Sequence, residues 1–181
     1  EVAERLAGFA SEMTIGDPTL ESTDVGPLIR AHEVDRVKSW VDAAIAEGAT
    51  KVCGGNALSE TSYECTVLLE PSVDSQISTQ EIFGPAVCVY GYDYVEQAIA
   101  QANILPYAFQ ASVLTQNIDF GLYCSRRLDA ATVMINDHTA FRVDWMPFAG
   151  IRQSGLGVGG IPYTFEDMQI DKQIVIRSKQ L

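Results

Sequence analysis

The sequence predicts an α/β fold in which a mainly parallel sheet is flanked by helices. Short apolar runs alternate with longer segments of helical periodicity, and glycine and proline residues separate the two kinds of segment. This alternation is typical of βαβ units, because the crossover between two parallel strands is long enough to hold a helix. One long segment, residues 136–164, is rich in glycine and proline with little periodicity, and such irregular segments are usually functional.

The first half of the chain predicts two helices and then three strands. Apolar residues recur every three or four positions near the N-terminus and again over residues 34–45, which is the spacing of one helix face. Gly48 stands where a glycine commonly ends a helix. The predicted elements are helices at 2–13 and 34–45, and strands at 51–53, 66–69 and 86–90.

The second half repeats this alternation. Asp93, and then either Asn117 or Asp119, stands where a side-chain oxygen caps the first turn of a helix. The apolar runs between these helices have the length of buried strands. The predicted elements are a helix at 94–102, a helix from 117 or 119 to about 128, and strands at 111–114 and 132–135.

The end of the chain has a period of two. In residues 172–177 the apolar Ile174 and Ile176 alternate with Gln173, Val175 and Arg177. This pattern predicts a half-buried strand. An edge strand is an aggregation hazard unless it is paired, so we expect this strand to find a partner.

Composition excludes several classes of function. The net charge is −12 and no cluster of lysine and arginine offsets it, which argues against binding to nucleic acid or anionic membranes. No apolar stretch approaches the roughly 18 residues needed to span a bilayer. The opening EVAERLAGFASEM has none of the features of a signal peptide and is expected to come from the middle of a longer protein.

The cysteines predict neither a metal site nor disulfides. No two of them form a CxxC pair, and only two histidines are present to complete a metal site. We expect small buried side chains in a reducing compartment, which favours the cytoplasm. A cysteine hydrolase built on Cys124 or Cys53 with His138 is a weaker alternative, because no nucleophile elbow accompanies either thiol. The four cysteines are Cys53, Cys65, Cys88 and Cys124.

Two motifs bear on cofactor binding. GLGVGG at 155–160 satisfies the GxGxxG pattern, but a dinucleotide fingerprint follows a strand and opens a helix, and Pro162 follows almost at once. We therefore expect a close-packed turn there. In EIFGP at 81–85, the carboxylate of Glu81 can accept hydrogen bonds from both hydroxyls of a ribose. Phe83 lies on the same side if the backbone is extended, although a solvated carboxylate and a core aromatic fit these residues equally.

Taken with other segments, EIFGP resembles the aldehyde dehydrogenase family. Order and spacing agree across essentially the whole chain. The chain departs from the family where Ala108 and Ala149 replace glycine, which would cost about 1 kcal/mol if the backbone needed a positive φ. The other matching segments are GDP at 16–18, GPLI at 26–29, EGA at 47–49, GG at 54–55, AN at 102–103, YAF at 107–109, IN at 135–136, MPFAG at 146–150, SGLG at 154–157 and DK at 171–172.

The resemblance implies oxidation of a small aldehyde to an acid, through a cysteine thiohemiacetal and hydride transfer to NAD or NADP. Glu81 would bind the nicotinamide ribose and Phe83 would pack beside it. Asn136 would lie at a strand end facing the active site, and Phe148 would line the aldehyde pocket. Near the tunnel mouth, Arg142 would hold a distal anion of the substrate unless the neighbouring Asp144 neutralises it.

The resemblance also implies how the chain is organised. Residues 1–170 would form the C-terminal part of a catalytic domain, and residues 171–181 would form an oligomerisation strand that crosses to a neighbouring subunit of a homo-oligomer. The nucleophilic cysteine, the general base and the dinucleotide-binding domain would lie upstream, so we expect the chain to be inactive by itself. A non-catalytic assembly module or remnant of the same fold is the competing hypothesis. The residues do not fix the aldehyde or choose NAD over NADP.

Overall fold

A computed structural model describes residues 1–180, and Leu181, the last residue of the predicted segment 171–181, lies outside them. The described chain packs as two units, residues 1–92 and residues 93–180. This division concerns packing and does not test the predicted boundary between residues 170 and 171. No helix within residues 1–180 is long and apolar enough to cross a membrane.

The first unit is a three-stranded mixed sheet with helices. Strands β2 and β3 are parallel, as predicted, with Thr66 opposite Ala86 and Leu69 opposite Val89. Strand β1 is antiparallel to β2, because residues 54–65 form no crossover helix and fold back with a bridge between Ala57 and Tyr63. The elements are helices α1 (Val2–Glu12), α2 (Ala31–Ala46) and α3 (Gln76–Thr79), and strands β1 (Thr50–Cys53), β2 (Thr66–Leu69) and β3 (Ala86–Val89).

The core of the first unit forms under α2. The predicted apolar stripe of this helix is buried, and it packs against Tyr63, Leu68 and Ile77. Full burial of a valine-sized side chain contributes about 1.5–3 kcal/mol relative to exposure, so this stripe fixes the rotation of α2. Gly48, at φ +112°, ends the helix as predicted. The buried stripe consists of Val34, Val37, Val41 and Ala44.

The second unit contains the predicted βαβ unit. Strands β5 and β6 are parallel and α5 connects them. Asn117 caps α5, since its Oδ1 accepts a hydrogen bond from the backbone N–H of Phe120 at 3.2 Å. Asp93 does not cap α4, which begins one residue later behind Tyr94 without a side-chain cap. The elements are helices α4 (Val95–Asn103), α5 (Ile118–Ser125) and α6 (Ile161–Asp167), and strands β4 (Tyr107–Ala108), β5 (Gln110–Val113), β6 (Thr132–Ile135), β7 (Phe148–Ala149), β8 (Ile151–Arg152) and β9 (Val158–Gly159).

The glycine-rich segment is more regular than expected. Two-residue antiparallel pairs join β4 to β8 and β7 to β9. Helix α6 follows Gly160, so the expectation that Pro162 would prevent a helix was wrong. Proline is accepted in the first turn because its missing N–H would have had no partner there. The strands before α6 are short and antiparallel, so this GxGxxG is not part of a parallel βαβ unit.

Two fold predictions need correction. The sheets are mixed rather than mainly parallel, since β1–β2, β4–β8 and β7–β9 are antiparallel. Residues 172–177 form no strand in the described chain. Ile174 remains 73% exposed, because nothing in the single chain pairs with this segment or covers its apolar face. Pairing with a second copy stays a prediction.

Candidate functional site

The EIFGP segment lines an open groove in the first unit. The groove has a volume of about 970 Å³, and its other walls come from α1, the GPLI segment, Glu33 and Arg36 of α2, and the starts of β2 and β3. Phe83 is 77% exposed, so it is not a core aromatic. The Glu81 carboxylate is exposed and makes no hydrogen bond or ion pair with any residue in the range 1–180. A free carboxylate beside an uncovered aromatic ring fits the ribose and ring of a nicotinamide nucleotide.

The backbone at Phe83 differs from the expected one. Its φ is +48°, in the left-handed region, whereas the argument that Phe83 shares a side with Glu81 assumed an extended chain. The extended backbone that this alignment needs is absent, and both residues nevertheless line the same groove. For a bulky residue this conformation costs of order 1–3 kcal/mol and persists only where the surroundings impose it.

Two of the three predicted substrate residues are in contact in the second unit. The guanidinium carbon of Arg142 lies 4.2 Å from the centre of the Phe148 ring. Phe109 meets the same ring edge to face, with centroids 5.2 Å apart and planes at 85°. No ion pair joins Arg142 to Asp144 within the residues described, so the alternative in which Asp144 neutralises the guanidinium is not found in the structure. A guanidinium stacked by its face keeps its N–H groups available at its edge.

Asn136, the third predicted substrate residue, lies at the end of β6 as expected. Its φ is +60°, and its Oδ1 accepts a hydrogen bond from the backbone N–H of Thr115 at 2.7 Å. It lines an open cavity of about 600 Å³ with residues 114–116 and Ile118, where β5 and β6 end. Ligands of open α/β sheets bind at such carboxyl ends. The side-chain oxygen of Asn136 therefore holds the two strand ends together.

The alanines that replace family glycines carry no backbone cost. Neither Ala108 nor Ala149 has a positive φ. Gly150 is the position of close approach instead, since a Cβ there would lie 2.5 Å from the backbone oxygen of Ser154. The retained glycine is thus the one that the packing requires.

Three of the four thiols are poorly suited to nucleophilic catalysis, and only Cys124 is buried as expected, since Cys53, Cys65 and Cys88 are partly exposed. Burial raises the pKa of the Cys65 and Cys88 thiols, which lowers the fraction of reactive thiolate. Cys124 is only 3% exposed, and this disfavours a hydrolase built on it. Within residues 1–180, no group of three His, Cys, Asp or Glu side chains could hold a metal ion.

Two supporting residues of the site were not predicted from the sequence. Phe109 was noted only as part of YAF, but it braces the ring under Arg142. Arg36 on α2 was not noted, yet its Nη2 donates a hydrogen bond to the carbonyl of Ile82, between Glu81 and Phe83. The spacing of Glu33, Arg36 and Trp40 on one helix face was the available signal, but nothing local connects it to residue 82.

Comparison with known proteins finds aldehyde dehydrogenases of similar sequence. The chain is 36% identical over 172 residues to 3-sulfolactaldehyde dehydrogenase from Priestia aryabhattai, covering 95% of this chain and 36% of that protein. It is 32% identical over 179 residues to lactaldehyde dehydrogenase from Methanococcus aeolicus, covering 99% of this chain and 38% of that protein.

Solved structures give the same result. Aldehyde dehydrogenase 21 from Physcomitrella patens, in complex with the reaction product succinate, superposes with a TM-score of 0.88 at 29% identity, over 92% of this chain and 34% of that one. Glyceraldehyde-3-phosphate dehydrogenase from Methanocaldococcus jannaschii, complexed with NADP, superposes with a TM-score of 0.86 at 33% identity, over 91% and 36%. This chain thus spans little more than a third of the length of these relatives. Residues 1–174 match the model of the aldehyde dehydrogenase family, and the protein belongs to that family.

Proposed function

We propose that this chain is part of an NAD(P)-dependent aldehyde dehydrogenase and that residues 1–170 contribute to its catalytic domain. The exposed pair of Glu81 and Phe83 in the groove of the first unit carries this proposal. In the proposed reaction a cysteine thiolate adds to the aldehyde carbon, and water later releases the acid from a thioester. The nicotinamide cofactor supplies the hydride acceptor. The Glu81 carboxylate would accept hydrogen bonds from ribose hydroxyls, and the Phe83 ring would cover one side of the nucleotide.

The reacting thiol is proposed to lie outside this chain. Its support is the burial of Cys124, which keeps that thiol from an aldehyde, and the raised pKa of Cys65 and Cys88, which lowers the fraction of reactive thiolate at those two positions. The 181 residues alone are therefore expected to be inactive. All four cysteines are free thiols, which supports the further prediction of a cytoplasmic location.

The experiment replaces Glu81 with Gln in the full-length protein. Losing a charge-assisted hydrogen bond costs about 1.5–3 kcal/mol, so we expect the KM for the cofactor to rise about ten- to over a hundredfold while the KM for the aldehyde changes little. Glu60→Gln, at another exposed carboxylate of the same unit, is the matched control. If Glu81→Gln behaves like the control, Glu81 does not bind the cofactor. No measurable oxidation by the wild-type protein would favour the non-catalytic assembly module.

We propose further that the substrate carries an anionic group distal to the aldehyde, bound by Arg142. The support is the unneutralised guanidinium stacked on Phe148. The names of the relatives agree in part: sulfolactaldehyde carries a sulfonate, succinate carries carboxylates and glyceraldehyde-3-phosphate carries a phosphate, but lactaldehyde is neutral. The Arg142 contact therefore carries this proposal, and Asn136 and Phe148 would complete the aldehyde site.

The terminal segment is proposed to pair with a second copy of the chain. Ile174 and Ile176 both lie exposed and share one face of residues 172–177. A strand that adds to a neighbour's sheet would satisfy its backbone groups and cover this face. Deleting the chain from Asp171 onward in the full-length protein is expected to lower its mass in solution to that of a smaller oligomer. An unchanged mass would show that these residues do not assemble the protein.

A further inference from the structure

The turn that bears the proposed cofactor residues needs support from outside itself. Phe83 has a left-handed backbone, and its exposed side chain offers little packing to hold that conformation. A strained non-glycine residue is retained only where neighbouring groups fix it. The contacts of Ile82 and Gly84, which flank Phe83, therefore determine where the Glu81 carboxylate and the Phe83 ring lie.

Arg36 holds the residue before Phe83. Its Nη2 donates a hydrogen bond to the carbonyl oxygen of Ile82 at 2.6 Å, across 46 residues of sequence. The Arg36 side chain is only 26% exposed, so water competes weakly for this bond. Because the donor is charged, the bond is among the stronger ones available to a backbone carbonyl.

The guanidinium of Arg36 is oriented before it meets the turn. Its Nε donates to Oε2 of Glu33 at 2.7 Å, and the guanidinium carbon lies 4.4 Å from the centre of the Trp40 ring. The other Glu33 oxygen lies 2.9 Å from Nε2 of His32. The hydrogen bond from Arg36 lowers the pKa of Glu33, so the carboxylate stays ionised and keeps the guanidinium in place. All these residues lie on α2 and hold the arginine with little freedom.

The same helix contacts the residue after Phe83. A Cβ on Gly84 would lie 2.8 Å from Cγ2 of Val37, so at this point the turn rests directly on α2. Val37 is fully buried in the core and cannot move aside easily. Helix α2 thus fixes the backbone on both sides of Phe83, by a hydrogen bond at Ile82 and by close packing at Gly84.

We propose that Arg36 is a positioning residue for cofactor binding: through the Ile82 carbonyl it holds Glu81 and Phe83 in the geometry that receives the nicotinamide nucleotide. This rests on the proposed function of Glu81 and Phe83. Arg36 acts through the turn, and the effect exists before any cofactor binds. Glu33 and Trp40 serve the same end by orienting the guanidinium.

The test compares Arg36→Met, Arg36→Lys and Glu81→Gln in the full-length protein. Lys38→Met is the matched control, since Lys38 is a cation on the same helix that pairs with Asp42 at 2.5 Å. For Arg36→Met we expect the KM for cofactor to rise about tenfold with the KM for aldehyde unchanged, because the loss of a charge-assisted bond loosens only the turn. Arg36→Lys should recover part of the affinity. Lys38→Met should match wild type.

Amide hydrogen exchange of Ala86 without cofactor is the second measurement, because its N–H donates a hydrogen bond to the carbonyl of Gly84 at 2.8 Å within the turn. Arg36→Met is expected to speed this exchange, because the turn loses a contact that holds it. If Arg36 acted only by touching the cofactor, its replacement would leave the exchange of the cofactor-free protein unchanged. A raised cofactor KM with unchanged exchange would therefore overturn the positioning role. The positioning role would also be overturned if Glu81→Gln raised the KM for the cofactor and Arg36→Met did not. If neither Glu81→Gln nor Arg36→Met changes that KM, the proposed function and the positioning role fail together.

A second variant covers the case in which Arg36→Met does not fold. Glu33→Gln keeps the arginine but weakens its anchor, and it is expected to raise the cofactor KM by about threefold, since one hydrogen bond loses its ionised partner. Replacement of the anchor should also speed exchange of the Ala86 amide. If Glu33→Gln gives wild-type values for both, the guanidinium does not need its orientation and the inference is wrong.

Discussion

The two units present their aromatic rings differently. In the first unit the Phe83 ring is exposed and its direction is set by a left-handed backbone. In the second unit the Phe148 ring contacts the side chains of Arg142 and Phe109. Arg142 lies directly on Phe148, with its guanidinium carbon 4.2 Å from the ring centre. The first arrangement depends on what fixes the backbone of a turn. The second depends on stacking of side chains. We therefore expect different substitutions to disrupt the two sites. Changes that alter the backbone should disrupt the first, and removal of an aromatic ring should disrupt the second.

The largest effect is expected at Arg142. Arg142→Ala should lower kcat/KM for an anionic aldehyde such as succinic semialdehyde about ten- to over a hundredfold relative to the corresponding amide, because a charge-assisted contact contributes about 1.5–3 kcal/mol. Both specificity constants are measured on the full-length enzyme, and their ratio is compared with that of wild type. Arg126→Ala, at another arginine of the second unit, is the control. An unmoved ratio would show that Arg142 plays no part in substrate selection.

A smaller effect is expected when the brace under Phe148 is removed. Phe109→Leu deletes an edge-to-face contact worth about 0.5–1.5 kcal/mol, so the preference for the anionic aldehyde should fall about two- to tenfold. Phe120→Leu removes a ring of the same unit that stacks on Tyr123, and it controls for general destabilisation. Equal losses in both variants would mean that the Phe109 contact does not position Arg142.

The sequence predicted the elements that are set by local pattern. Strands β2 and β6 have the predicted bounds, because each is a short apolar run enclosed by turn-forming or polar residues. Strands β4 and β8 were not predicted. Each has two residues, and Tyr107 pairs with Arg152, so their existence depends on pairing across a long separation rather than on periodicity.

The candidate site was predicted by motif, and its geometry was not. EIFGP indicated Glu81 and Phe83, and both line one groove. The left-handed backbone of Phe83 could not be predicted, because an isolated phenylalanine disfavours it and the turn contacts Arg36 and Val37, which lie far away in sequence. Similarly, Asn136 was placed at its strand end, but its bond to Thr115 depends on the parallel register of β5 and β6.

Substitutions at Phe83 itself test whether this position keeps its left-handed backbone. Phe83→Gly and Phe83→Ala both remove the ring, but only glycine adopts a positive φ without cost. In most positions alanine is the more stable of the two, whereas here we expect the glycine variant to be more stable by about 1 kcal/mol. Thermal unfolding of both full-length variants gives the comparison. A more stable alanine variant would indicate that the turn relaxes to an ordinary backbone.

The smallest effect on stability at neutral pH is expected at Tyr63. This residue packs in the core against α2, the helix that contacts the turn at Phe83. Tyr63 is 1% exposed and its hydroxyl has no hydrogen-bond partner among the described residues. Tyr63→Phe removes a buried polar group without leaving another unpaired, so stability should be unchanged or higher by up to about 1 kcal/mol.

Burial, with smaller contributions from Asp42 and Glu64, raises the pKa of Tyr63 to about 12. In the unfolded chain tyrosine ionises near pH 10, so the stability of the wild type is intact below that pH and falls as pH rises toward 12. The phenylalanine variant lacks this loss, and the difference in melting temperature should widen between pH 9 and pH 12. Tyr94→Phe, at an exposed tyrosine, should instead track wild type at every pH. Parallel curves for wild type and Tyr63→Phe would mean that the hydroxyl ionises as freely in the folded protein as in the unfolded chain, and so has access to water.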